Sequence, residues 1–319
     1  MSLFSSWRGR KRLRRASLFV ALVALATLSH PAWTWATDSL CGPVYLVNTQ
    51  NELLRLRRSA QLFEILGDLF GGAGHQVQIR SRQAIAGLAG GETLIGSDFR
   101  PSTGVLYGVG RIGSGPGQLY TIDLGTGLAS PVGARAIPLA GTAFGVDFNP
   151  VPDLLRIVSD AGQNVRIRPA DATVAGTDVN LAYPALGDPN AGRIARVVAV
   201  AYTNPDGNPQ TNTVLHDLDV NRADDPDRDG DGLAIQVPPN GGVLNTVGTL
   251  GIDADDLTAF DIGPDNEALA AIRPGGSPFS RLYFIDLRSG GATDLGRIGK
   301  GELITGLAIQ LGPQCNATR

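Results

Sequence analysis

The sequence predicts an all-β fold, a five-bladed propeller of four-stranded antiparallel blades. Three observations carry that expectation. An apolar phrase ending in a turn and proline recurs five times, as LIGSDFRP (94–101), AFGVDFNP (143–150), VAVAYTNP (198–205), LTAFDIGP (257–264) and GLAIQLGP (306–313). Its prolines stand 49, 55, 59 and 49 residues apart, a spacing that belongs to repeat architectures. Helical periodicity is nearly absent, the exception being a short amphipathic stretch at 59–70.

Each phrase is rich in β-branched and aromatic residues and ends at Pro or Gly, which reads as the first strand of a blade. Second strands are expected at 105–109, 154–158, 214–218 and 268–272, and third strands at 119–124, 165–167, 233–237 and 282–287. Shorter fourth strands are expected at 129–132, 243–247 and 292–295. Four strands per repeat make a propeller blade. The ends decide closure. The last phrase has no strands after it, while 44–48 and 52–56 look like second and third strands with no first. Pairing the C-terminal strand with them closes five blades into a ring; an open or six-bladed array is the alternative.

The first 36 residues form no part of that ring. Arg8, Arg10, Lys11, Arg12, Arg14 and Arg15 make a basic region, 16–28 is apolar and too short to span a bilayer comfortably, and Ala36 ends a plausible cleavage site. A secretory signal peptide at 1–36 and a single propeller domain at 37–319 are therefore expected, in an exported protein, periplasmic or secreted. Sec and twin-arginine export both stay open. Removal of the leader leaves 21 basic and 30 acidic side chains, a formal charge of −9. That balance disfavours nucleic acid and anionic membrane as partners. A monomer with an unknown extracellular ligand or protein partner is expected.

Cys41 and Cys315 lie at the two ends of the mature chain, in a compartment that favours oxidation. A disulfide between them would close the ring where other blades have the turn between first and second strands. On chain entropy alone, such a bond stabilises by roughly 5 kcal/mol. A lipid-modified Cys41 is the alternative, opposed by Asp38 and Leu40 just upstream.

The pattern resembles a bacterial family known only as domain of unknown function 4394 (DUF4394). The resemblance rests on GETLIGSDFRPSTGVLYGV (91–109), GTAFGVDFNPVPDLLRIVSDAGQNVRIRP (141–169) and PPNGGVLNTVGTLGID (238–253). It implies a secreted, propeller-like protein and brings no activity or catalytic residue. The segments 59–74 and 224–232 look like departures from the family's pattern.

Three constellations could carry chemistry. Asp227, Asp229 and Asp231, with Asp225 before them, alternate as Asp-x-Asp-x-Asp-Gly, and hard oxygen ligands round a tight turn suit a structural calcium ion. The twelfth position of an EF-hand loop counted from Asp227 is Pro238, so the full motif is not met. Asp253, Asp255 and Asp256 are the candidates to complete the shell. Second, Asp98, Asp147, Tyr202, Asp261 and Gln310 each stand three residues before a phrase proline and could ring the channel. Converging carboxylates would raise one another's pKa and could bind a cation or transfer protons; an Asp before a turn more often caps backbone N–H groups. Third, Asp160, Gln163, Asn164 and Arg166, with Arg111 and Arg273 on equivalent loops, could converge as a ligand surface or simply form turns.

No Gly-x-Ser-x-Gly occurs, and His75 and His216 are the only histidines after the leader, so neither a serine nucleophile elbow nor a zinc centre is signalled. His216 is expected to be packed. No catalytic residue is assigned. The expected function is a binding or scaffold module; the alternative is a calcium-dependent hydrolase resembling a lactonase, with channel carboxylates.

Overall fold

Strand pairing begins where the chain ends. Strand β21 (Ile304–Ile309) lies antiparallel to β1 (Val44–Asn48), pairing Ile309 with Val44 and Leu307 with Leu46. With β2 (Glu52–Leu56) and β4 (Ile79–Ala84) they form the first blade, in the order β21-β1-β2-β4. The ring is therefore closed by the C-terminal strand, as the sequence predicts. The computed structural model describes residues 42–57, 76–206, 208, 210–220 and 231–311. The proposed signal peptide, the amphipathic stretch at 59–70 and both cysteines lie outside the described residues.

The second blade holds β5 (Thr93–Arg100), β6 (Val105–Arg111), β7 (Gly117–Ile122) and β8 (Ala129–Ile137). The third holds β9 (Phe144–Asn149), β10 (Leu154–Ser159), β11 (Asn164–Ile167) and β12 (Val174–Thr177). The fourth holds β13 (Val197–Tyr202), β14 (Leu215–Asp219), β15 (Gly232–Gln236) and β16 (Leu244–Thr249). The fifth holds β17 (Ala254–Ile262), β18 (Ala268–Pro274), β19 (Arg281–Ile285) and β20 (Ala292–Ile298). A two-residue strand, β3 (Gln76–Val77), adds in parallel to β20 before β4 returns to the first blade. Five sheets make the ring, so the six-bladed and open alternatives do not hold. Among the described residues no helix is long and apolar enough to cross a membrane.

The core sits between blades. Five buried apolar clusters each join two neighbouring blades, for example Tyr107, Val109 and Leu119 with Phe148, Ile157 and Ile167. Side chains on both faces of a blade thus leave water, which is why the central strands read as near-continuous apolar runs. Asp-Leu-x-x-Gly turns follow the third strands of the second and fifth blades, at 123–127 and 286–290. Asp123 Oδ1 accepts the Gly125 and Thr126 N–H groups, and Gly127 closes the turn at φ 70°.

The first strands stand side by side round the axis, in the order β5, β9, β13, β17, β21. Their close approach demands small residues. A Cβ on Gly145 would lie 2.7 Å from the Val200 nitrogen and 2.8 Å from the Ala199 Cα, both backbone atoms that cannot rotate away. Gly145→Ala is therefore expected to destabilise by about 3 kcal/mol. Urea denaturation of the variant checks this; an unchanged midpoint would show that the inner strands can part freely.

Candidate functional site

Asp98, Asp147 and Asp261 come from the first strands of blades two, three and five and meet at one point, with one oxygen of each within 4.8 Å of the others. All three are buried. Each also reaches a neighbouring strand. Asp98 Oδ1 accepts from its neighbour Phe99 N–H (2.6 Å) and Oδ2 from Phe148 N–H in the next blade (2.8 Å). Asp261 repeats this with Ile262 and Ile309 N–H, both at 2.6 Å. Asp147 Oδ1 accepts from Tyr202 N–H at 3.1 Å. Convergence and backbone capping, opposed as alternatives in the sequence, are both present, and the caps span blades rather than single turns.

Burial dominates the electrostatics. It raises the Asp98 carboxyl to about 7 against the opposing pull of two backbone N–H bonds. Burial, then the nearby Asp98 and Asp261, drives Asp147 well above the ordinary carboxylate range; burial and Asp98 do the same to Asp261. Three carboxylates this close cannot all ionise without a counter-charge, so they share protons or a cation. The oxygens are near enough to hold one cation. Beside the cluster, the axis is almost solid: the cavity between the first strands, lined by Gly96, Gly145, Val200, Ala259 and Gly306, is about 10 Å³.

One of the five expected channel residues is corrected. Tyr202 turns away from the axis into the cluster between blades three and four, where its hydroxyl accepts from Arg156 Nε at 2.6 Å. Gln310 lies past the end of β21, and its backbone N–H bonds to the Pro43 carbonyl.

The loop candidates do not converge as one surface. Asp160 accepts from Thr142 N–H and Oγ1–H and from Ala143 N–H, fastening blade three's entry. Gln163 bridges Ala140 N–H and the Pro138 carbonyl. Arg111 donates to the carbonyls of Gly115, Leu139 and Gly141, and Arg273 pairs with Asp255. These four are committed to local structure. Asp160, Gln163 and Arg111 all fasten the link at 138–143, while Asn164 and Arg166 share a second neighbourhood.

That neighbourhood is built round a residue the sequence reading missed. Arg156, on β10, is only 1% exposed. It donates to Tyr202, to Asn164 Oδ1, to Asp178 Oδ2 at 3.1 Å and to Asn240 Oδ1 at 2.8 Å. Arg166 clasps the same Asp178 through Nε and Nη2, each at 2.8 Å. The available signal was one arginine inside an apolar strand, Leu-Leu-Arg-Ile-Val, a pattern that demands buried partners. Asp217 faces the same blade interface. It is wholly buried, neither carboxylate oxygen has a hydrogen-bond partner among the described residues, and burial raises its pKa well above the usual range despite the nearby Arg156. Its neighbour His216 is packed as expected, and burial lowers its pKa to about 4.

Of the acidic loop, Asp225, Asp227 and Asp229 lie outside the described residues. Asp231 is buried, and its Oδ2 accepts from Ala254 N–H of the fifth blade at 2.5 Å. Asp255 and Asp256 are paired with Arg273 and Arg196, so these candidates for the shell are engaged elsewhere.

Similar architectures occur in solved structures. TolB from Acinetobacter baumannii is 14% identical, with a TM-score of 0.41 over 84% of this chain and 57% of that one. This chain thus spans little more than half of that protein's length. A putative 6-phosphogluconolactonase from Bacteroides uniformis is 13% identical, with a TM-score of 0.36 over 82% of this chain and 72% of that one. A Lactobacillus plantarum protein is 15% identical, with a TM-score of 0.37 over 83% and 70% of the two chains. No curated protein matches. A family model described as domain of unknown function (DUF4394) matches residues 72–308, a range that holds the three quoted segments, and the chain belongs to that family.

Proposed function

We propose that this protein is an exported, non-enzymatic binding or scaffold propeller, whose axial carboxylates knit the blades together. The observation that supports this best is the burial of Asp98, Asp147 and Asp261, each of which accepts a backbone N–H from a neighbouring blade. A calcium-dependent lactonase has one observation in its favour, the convergence of three carboxylates from three blades. Lactone hydrolysis with and without calcium, in wild type and Asp147→Asn, separates the two. No calcium-dependent turnover is expected; hydrolysis abolished by the variant with folding intact overturns the binding reading.

In this reading the acidic loop binds one structural calcium through Asp225, Asp227, Asp229 and Asp231. Calorimetry should show calcium uptake by wild type and at least about tenfold weaker uptake by Asp229→Ala. Equal binding by both would exclude this loop. Cys41 and Cys315 should form the ring-closing disulfide in exported protein. Non-reducing peptide mapping is expected to recover them as a linked pair; two free thiols, or lipid on Cys41, would exclude it.

A further inference from the structure

We propose that the cleft between the third and fourth blades binds a small organic monoanion, a carboxylate carried on a compact apolar body. This rests on the binding-module reading above and gives it a site. The cleft has a volume of about 300 Å³, at the lower end of small-molecule pockets. Its walls are Pro152, Pro238 and Pro239, rigid and apolar, and its charged groups are Arg156 and Arg166, with Asn240 exposed at the mouth.

The charges do not cancel. Two guanidinium groups share one carboxylate, Asp178. Asp217 also lies near Arg156, but it is wholly buried without a donor among the described residues, a setting that favours its neutral form. One positive charge is left over. Donors are left over too. Arg166 spends Nε and Nη2 on Asp178, and its Nη1 hydrogens have no bond among the described residues. Asn240 gives its Oδ1 to Arg156, which turns the amide without using its Nδ2.

The arginines are held in place. Arg156 is fixed by four side chains, and the Arg166 guanidinium lies across β12 at Gly176, where a Cβ would come within 2.5 Å of Nη2. A fixed guanidinium that keeps Nη1 donors and a surplus positive charge can bond a carboxylate, and flat proline walls suit a small apolar body. The apolar cluster of this blade interface is supplemented by buried Arg156, Asn164, Asp217 and Gln236.

Calorimetric titration with benzoate tests the site, with benzyl alcohol as the neutral match. Benzoate is expected to bind wild type at least about tenfold more tightly than benzyl alcohol, and Arg166→Met to weaken it about tenfold or more. Asn240→Asp keeps the acceptor for Arg156 and places a negative charge at the mouth, so it should weaken benzoate similarly with the melting temperature unchanged. Should Arg166→Met unfold, Asn240→Asp decides. Absence of saturable benzoate binding, equal affinity for benzyl alcohol, or binding unaffected by the variants overturns the site. Failure of the binding-module reading shows differently, as lactone hydrolysis lost in Asp147→Asn.

Discussion

Asp98→Ala is expected to destabilise the ring by about 2–5 kcal/mol, because it strips the acceptor from two buried N–H groups that cost about 1–3 kcal/mol each when left unpaired. Those groups, Phe99 and Phe148 N–H, lie in two different blades, so the loss falls on the junction between them. The penalty should depend on pH, and the sign follows from the raised pKa. Asp98 titrates at about 7 in the fold against an ordinary 3.8. A carboxyl raised on folding is more stable protonated, so its favourable contribution is present at low pH and is lost as pH climbs through the folded value. Asp147 and Asp261 are raised too and add to the same trend. Wild type should therefore lose stability between about pH 5 and about pH 9, and Asp98→Ala should cost more at the lower value. Asp147→Asn keeps an oxygen for the Tyr202 N–H and removes one ionisation, so it should flatten the profile and gain stability at alkaline pH. Denaturant titrations at the two pH values read all three proteins. An Asp98→Ala midpoint equal to wild type at acidic pH would remove the carboxylates from any role in knitting the ring.

Arg156→Met should cost about 3–5 kcal/mol, the range for breaking one side of a buried ion pair. Methionine keeps much of the volume but abandons Tyr202, Asn164, Asp178 and Asn240 together. Arg166→Met is the control, since Arg166 shares Asp178 but its side chain is 25% exposed, against 1% for Arg156. Loss of the partly exposed pair is expected to cost about 1 kcal/mol. Unfolding midpoints of the two variants check the contrast. Equal losses would mean that burial does not set the strength of this network.

The outer strands show where sequence patterning fails. Strand β4 (IRSRQA) is exposed or half-buried throughout, and β12 (VAGT) likewise. Neither carries an apolar period, and neither was expected. Strand β8 runs to Ile137, beyond the expected 129–132, because its residues between the two buried ends are exposed or half-buried and carry no apolar alternation. An outermost strand packs little side-chain surface, so its place is set by hydrogen bonding to the strand inside it. The inner strands, buried on both faces, announce themselves.

The sequence by itself determined the five blades, the strand that closes them and the chain position of the axial carboxylates. Those follow from local apolar runs, turn residues and an internal period, all of which are near-neighbour properties. Tertiary structure alone decided which way the equivalent side chains turn. Asp98, Asp147 and Asp261 fit a nearly solid axis, while Tyr202 swings out to a guanidinium 46 residues earlier in the chain. It also decided that Arg156 should be a hub, with partners 8, 22, 46 and 84 residues away. The reason is steric and dielectric. A buried polar group must find its partners wherever folding brings them, and no spacing along the chain encodes that meeting.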